Sequence, residues 1–162
     1  MKTLTQAQLD EMIENIKRKS HIGAYSLEGY ELKNLRFDEA DLSCFGFAHS
    51  RICNCSFRDC DLRLADFTCC EIELSVFRKA QLDGACFSDA HINCCEFRRS
   101  NLSLANFCHA VIANSDFYDA KLDEAFFQSA AFSIKNIDSK NAKLLERWAC
   151  LNINRAISKI ND

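Results

Sequence analysis

From residue 30 to residue 138 a large apolar side chain returns at every fifth position. The series runs Leu32, Phe37, Leu42, Phe47, Ile52, Phe57 and onward without a slip to Phe127, Phe132 and Ile137. Two residues ahead of most of these stands a small one, as at Ala40, Cys60, Ala65, Ser75, Ala90, Ser100 and Ala125. The other positions of each unit are mostly polar or charged. This period matches neither the 3.6 of a helix nor the 2 of a flat strand. One large and one small inward residue per unit predict a short straight side followed by a corner. So short a side has no core of its own. The sides must wind into a coil and the coils must stack, burying the large residues in columns.

Residue identity sets the number of sides. Phe occupies the positions ending in 7 from Phe37 to Phe127, while Leu or Ile occupies those ending in 2 as far as Leu122. Within the second set, Leu42, Leu62, Leu82, Leu102 and Leu122 recur at a spacing of twenty, interleaved with Ile52, Ile72, Ile92 and Ile112. Four sides per coil turn each series into a vertical column of one residue type, with coils about 4.8 Å apart. The units, read as Ala40-Asp41-Leu42-Ser43-Cys44, Ala65-Asp66-Phe67 and Ala105-Asn106-Phe107, resemble the A(D/N)LXX signature of the pentapeptide-repeat protein family. The match extends over 22 consecutive units, about two thirds of the chain. The resemblance implies an all-β solenoid, a right-handed quadrilateral parallel β-helix. It also implies a non-catalytic role: the best-understood relatives are quinolone-resistance and mycobacterial proteins that imitate DNA and bind DNA gyrase.

The chain divides into an N-terminal cap and loop (1–29), the repeat array (30–138) and a C-terminal helix (139–162). Residues 5 to 19 read as an amphipathic helix, with Thr5 and Gln8 at capping-box spacing and Leu9, Met12, Ile13 and Ile16 on one face. Its expected work is to cover the open first coil. That coil is irregular, with Tyr30, Leu35 and Phe45 where small residues belong, as terminal repeats usually are. The pattern fades at Lys135. A second helix is expected from Ser139 or Asn141 to Ile160. Its stripe of Leu145, Ala149, Ile153, Ala156, Ile157 and Ile160 is widened by Leu144, Trp148 and Leu151. So broad an apolar surface predicts a cap that also pairs with a second copy, giving a homodimer through Leu144, Trp148 and Leu151.

Composition narrows the role. Proline is absent and there are only 4 glycines, so loops must be few and short. A net charge of −3 gives little steering toward nucleic acid and argues against direct binding to it. The 11 cysteines are odd in number and scattered through the repeat, which does not read as a disulfide framework. Four of them (Cys55, Cys60, Cys70, Cys95) take the small inward site, where a thiol serves as a small hydrophobe. Free thiols and the lack of a signal-like or membrane-spanning stretch point to a cytoplasmic location.

The period also sorts outward residues by face. Beside one Phe column, Arg58, Arg78, Lys79, Arg98 and Arg99 gather at mid-height with acids at both ends. Stacked like charges repel, which suggests a site for phosphate, nucleic acid or an acidic protein surface. The plainer reading is a solvated face whose arginines find Asp59, Glu96 or Asp116. The Leu face carries Asp41, Asp61, Asp83, Asp123 and Glu124, but Arg63 and Lys121 interrupt them, unlike a strongly acidic DNA-like rod. Leu64 and Leu104 project there with Gly84 between. A ladder of His49, Cys69, Asp89 and His109 offers metal-ligand types, yet its rungs are too far apart to converge on one ion. No phosphate loop, nucleophile motif or paired carboxylate is present, and no metal or cofactor is expected. The sequence therefore predicts a rigid protein-interaction scaffold, with gyrase as the candidate partner implied by resemblance. The alternatives are phosphate or nucleic-acid binding through the basic patch, or service as an adaptor or secreted effector.

Overall fold

The computed structural model describes residues 1–19 and 26–146. Its elements are β1 (Lys2–Thr3), α1 (Gln6–Lys19), β2 (Tyr30–Lys33), β3 (Arg51–Cys53), β4 (Glu71–Glu73), β5 (His91–Asn93), β6 (Val111–Ala113), β7 (Ala131–Ser133) and α2 (Ser139–Glu146). The strands form one parallel sheet in chain order. From β2 onward the register advances by one coil, pairing Leu32 with Ile52, Ile52 with Ile72 and Ile72 with Ile92. The other three sides are held by single parallel bridges at the same offset, such as Arg36 to Ser56, Asp41 to Asp61 and Gly46 to Asp66. The expected four-sided β-solenoid is therefore present.

Corner chemistry decides which side becomes sheet. On three sides the N–H of the small residue donates to the carbonyl of the central apolar residue, as in Ala40 to Phe37, Ala65 to Leu62 and Ala90 to Phe87, each at 3.1 Å. The residue just before the small one is left-handed, as a type II turn requires. Glu39, Leu64, Lys79 and Leu104, for example, have φ of 62°, 59°, 59° and 59°. On the Ile side the left-handed residue persists, but the N–H groups of Cys55 and Cys95 donate one coil onward to the hydroxyls of Ser75 and Ser115, both at 3.1 Å. Those hydroxyls donate in turn to the carbonyls of Glu73 (2.8 Å) and Ala113 (2.9 Å). Freed from the tight turn, the backbone there stays extended and forms ladder strands.

The interior is filled by stacked side chains. Phe57 and Phe77 lie parallel with ring centroids 4.8 Å apart, as do Phe47 and Phe67. The two Phe columns meet edge to face, with Phe47 and Phe57 at 5.8 Å and 90°. Stacked and T-shaped pairs each add about 0.5–1.5 kcal/mol beyond area burial. Such ladders also hold a parallel sheet flat against its natural twist.

The ends carry features that the period does not announce. As expected, Thr5 and Gln8 form a reciprocal cap: the Thr5 N–H donates to Gln8 Oε1 (2.9 Å) and the Gln8 N–H to Thr5 Oγ1 (3.3 Å). α1 then buries Leu9 and Ile16 against the core. Two further devices cover the lower edge. β1 pairs with β2, and the Gln6 amide imitates a strand, accepting from the Arg36 N–H (2.8 Å) and donating to its carbonyl (2.9 Å). Ser26 bridges Gly46, adding a parallel bridge ahead of β2. Leu35 and Phe45 point inward and are buried despite occupying small-residue positions. At the upper end Asp138 caps α2 by accepting from the N–H groups of Lys140 and Asn141, both at 3.0 Å. Ala142 and Leu145 are buried and Leu144 half-buried against the same core. The expected continuation to Ile160, with Trp148 and Leu151, lies outside the described residues.

Candidate functional site

Because stacked rings and aliphatic side chains fill the coils, any site must lie on the outer faces. Adjacent coils place equivalent outward side chains one strand spacing apart, so each face is a set of fixed columns.

On the face beside Phe57, Phe77 and Phe97, the structure brings the five basic residues together but neutralises part of the group. Lys79 lies 3.9 Å from Asp59, Arg98 lies 3.8 Å from Asp116, and Arg99 lies 3.5 Å from Asp119. Arg98 also sits over the Tyr118 ring, 5.4 Å from its centroid. The guanidinium groups of Arg58 and Arg78 have no carboxylate within 4.0 Å among the described residues. Glu96, suggested as a partner by sequence, makes no such contact. Below this patch Asp38 is tied into the wall. Partial burial pushes its carboxyl up, but hydrogen bonds from the Ser56 hydroxyl, the Arg58 N–H and Arg36 outweigh that and hold it below the ordinary 3.8.

The Leu face behaves differently. Arg63 is committed to Asp61, donating from Nε to Oδ1 at 2.8 Å, and this bonding holds the Asp61 carboxyl below 3.8. Lys140 reaches down from α2 to Asp123 at 3.2 Å. Leu64 and Leu104 are 64% and 50% exposed, and both are left-handed. That conformation costs a non-glycine residue about 1–2 kcal/mol, which exposed leucines do not recover by burial. At Gly84, also left-handed, an added Cβ would stand 2.8 Å from Leu64 Cδ2. Leu64 leans into the space that a side chain there would take, and beside it lies a hollow of about 420 Å³ lined by Cys44, Arg63, Leu64, Asp83, Gly84 and Leu104. The sequence places the two leucines and the glycine on one face; that they enclose a hollow appears only once the corner geometry is known. The signal was a glycine in a column where neighbouring coils carry side chains.

The His49–Cys69–Asp89–His109 ladder remains a row of separate rungs. No group of three or more His, Cys, Asp or Glu placed to hold a metal occurs among the described residues. Nor is any helix among them long and apolar enough to cross a membrane.

Four-sided coils built from five-residue units define a class, the parallel β-solenoid of pentapeptide repeats. Two family models match the sequence: "Pentapeptide repeat region" over residues 30–107 and "Pentapeptide repeats (8 copies)" over residues 100–133, together more than half of the chain. The chain belongs to the pentapeptide-repeat family. No curated protein matches its sequence. Among solved structures it is similar to the pentapeptide repeat protein Rfr23 from the cyanobacterium Cyanothece 51142. The TM-score is 0.65 and the identity 13%, covering 79% of this chain and 96% of that one. It is also similar to a pentapeptide repeat protein of the Arabidopsis thaliana thylakoid lumen, with TM-score 0.51, 20% identity and coverage of 80% and 81%. At these identities the likeness speaks for the fold alone. Full-length QnrB1, a plasmid-mediated fluoroquinolone resistance protein, matches at TM-score 0.29 and 17% identity over 75% of this chain and 91% of that one, too loosely to carry an argument.

Proposed function

We propose that this chain is a non-catalytic scaffold that binds another protein along the rigid side of its solenoid. The observation that carries this reading is the combination of a filled core with outward side chains fixed in columns. The four stacked contacts in the Phe47–Phe127 column all lie between 4.8 and 5.0 Å, so a partner meets a surface whose spacing does not adjust. A surface already fixed before binding loses little conformational entropy on docking. Self-association through α2 and the residues beyond it, including Leu144, Trp148 and Leu151, belongs to the same reading.

DNA gyrase is the candidate partner that family resemblance suggests. The charge pattern favours an ordinary protein contact over imitation of duplex DNA, because Arg63, Lys121 and Lys140 break the acidic column on the Leu face. Supercoiling by purified gyrase, with and without a quinolone, tests this partner across a titration of the chain. Inhibition or drug protection at micromolar levels supports it. No effect removes gyrase and leaves partners to be sought by affinity capture from the native cell. Failure there to retain any protein through a solenoid face would overturn the scaffold reading.

One observation favours a second reading, an anion site at the Arg58 and Arg78 guanidinium groups, because neither group is paired with a carboxylate among the described residues. A salt-sensitive shift with duplex DNA or a phosphopeptide, abolished by Arg78→Glu and Arg98→Glu, would support it. Binding that survives both substitutions would sink it.

A further inference from the structure

The hollow on the Leu face combines three departures from the repeat that the monomer does not use. Two exposed leucines hold left-handed φ, where asparagine, aspartate or glycine is at ease. Between them the column lacks a side chain at Gly84, and Leu64 leans across the opening. Around them the charge is negative. Asp41, Asp61, Asp83, Asp123 and Glu124 outnumber the three cations there, Arg63 and Lys121 of the same side and Lys140, which reaches Asp123 from α2. Arg63 is already taken by Asp61, and among the described residues Asp41, Asp83 and Glu124 have no cation within 4.0 Å. Leu74 and Phe126 are exposed too, but neither lines this hollow.

We propose that this hollow docks a segment of a partner protein carrying a bulky aliphatic or aromatic side chain flanked by lysine or arginine. This rests on the scaffold reading and names the surface that performs it. The apolar side chain enters this hollow and covers Leu64 and Leu104, while its cationic neighbours meet Asp41, Asp83 and Glu124. The unbalanced carboxylates select the occupant. A nucleic acid or an anionic lipid surface would be repelled, and a second copy laid face to face would oppose like charges.

The test titrates the full chain, labelled with ¹⁵N, with three synthetic peptides. The first has a Phe-Leu pair between two Lys-Lys ends. The second has Glu-Glu ends, and the third replaces Phe-Leu by Gly-Ser. The expected result is saturable shifts at the amides of Leu64, Gly84 and Leu104 with the first peptide, and binding weaker by about tenfold or more with the other two. The paired substitution Leu64→Asn with Leu104→Asn, and separately Gly84→Asn, should weaken the first peptide similarly. The leucine pair should keep or raise the melting temperature, since asparagine suits left-handed corners. Three results overturn the site: no binding of the first peptide at millimolar concentration, equal binding of the Glu-Glu peptide, or self-association that the paired variant abolishes. Shifts confined to another face would also overturn it while leaving the scaffold reading intact. So would capture of a native partner that the paired variant does not disturb.

Discussion

Burial grades the described cysteines of this rod. Cys44, Cys69 and Cys94 are exposed, Cys53, Cys86 and Cys108 are half-buried, and Cys55, Cys60, Cys70 and Cys95 are buried. Loss of solvation raises the buried thiols from an ordinary 9.0 to about 11 for Cys55 and about 12 for Cys60, Cys70 and Cys95. They are neutral at physiological pH, and each also donates to a carbonyl, Cys60 to Phe37 at 2.7 Å and Cys70 to Phe47 at 2.9 Å. A thiol reagent should therefore label the exposed group in the native protein and reach the buried four only after denaturant is added. Rapid native labelling of Cys60 or Cys70 would contradict the packing. The shift also gives a pH dependence. Below the ordinary value both folded and unfolded states keep their thiol protons. Above it the unfolded chain sheds protons that the folded chain retains, so stability should fall as the pH rises from 9.0 toward 11 to 12. The slope is up to about 1.4 kcal/mol per thiol for each pH unit. Urea unfolding across that range should show a shallower decline for Cys60→Ala, because alanine is native to the same column at Ala80 and Ala120.

At the scale of one side, two serines in small inward positions do different work. Ser75 accepts from the buried Cys55 N–H and donates to the Glu73 carbonyl, standing in for the turn bond that the Ile side lacks. Ser100 only adds a bond to the Phe97 carbonyl, which already accepts from the Ser100 N–H. Ser75→Ala should cost about 1–3 kcal/mol, the penalty for an orphaned buried donor. Ser100→Ala should cost less than about 1 kcal/mol. Equal losses in denaturant titration would mean that the Ile-side corner is not held by its hydroxyl ladder. This contrast also marks how far the sequence could be read. The columns, the number of sides and the Thr5–Gln8 cap were legible because each follows from a spacing, while the sequence allows the second helix to start at Ser139 or Asn141 and it starts at Ser139. The strand Lys2–Thr3 was not, since two residues carry no period. Nor was the strand imitation by Gln6, which needs a backbone edge that exists only once Arg36 is placed. The basic column was legible as a cluster. Asp59 and Asp116 were legible as its neighbours, whereas the pairing of Arg99 with Asp119 and the lack of one from Glu96 depended on side-chain directions that spacing leaves open.

For the whole molecule the problem is its ends, because a stack of coils exposes a row of unpaired backbone groups at the first and last turn. The lower edge is covered by β1, the Gln6 amide and α1. The upper edge depends on α2, which Asp138 starts and Asn141 anchors by donating to the Ala120 carbonyl at 2.7 Å. Leu145 lies beneath the helix and is buried, so it belongs to the cap. If the C-terminal segment both caps the rod and joins two copies, stability and association separate by residue. Leu145→Ala should lower stability by about 2–5 kcal/mol, toward the smaller figure because the site is at the end of the stack. Trp148→Ala, in the segment expected to meet a second copy, should leave the urea midpoint of monomer unfolding unchanged and shift sedimentation from dimer to monomer. A wild-type chain that sediments as a monomer at all concentrations would remove the pairing role and leave α2 as a cap alone. A dimer that Trp148→Ala preserves would move the interface onto one of the side faces, where the charge columns already restrict how two rods can meet.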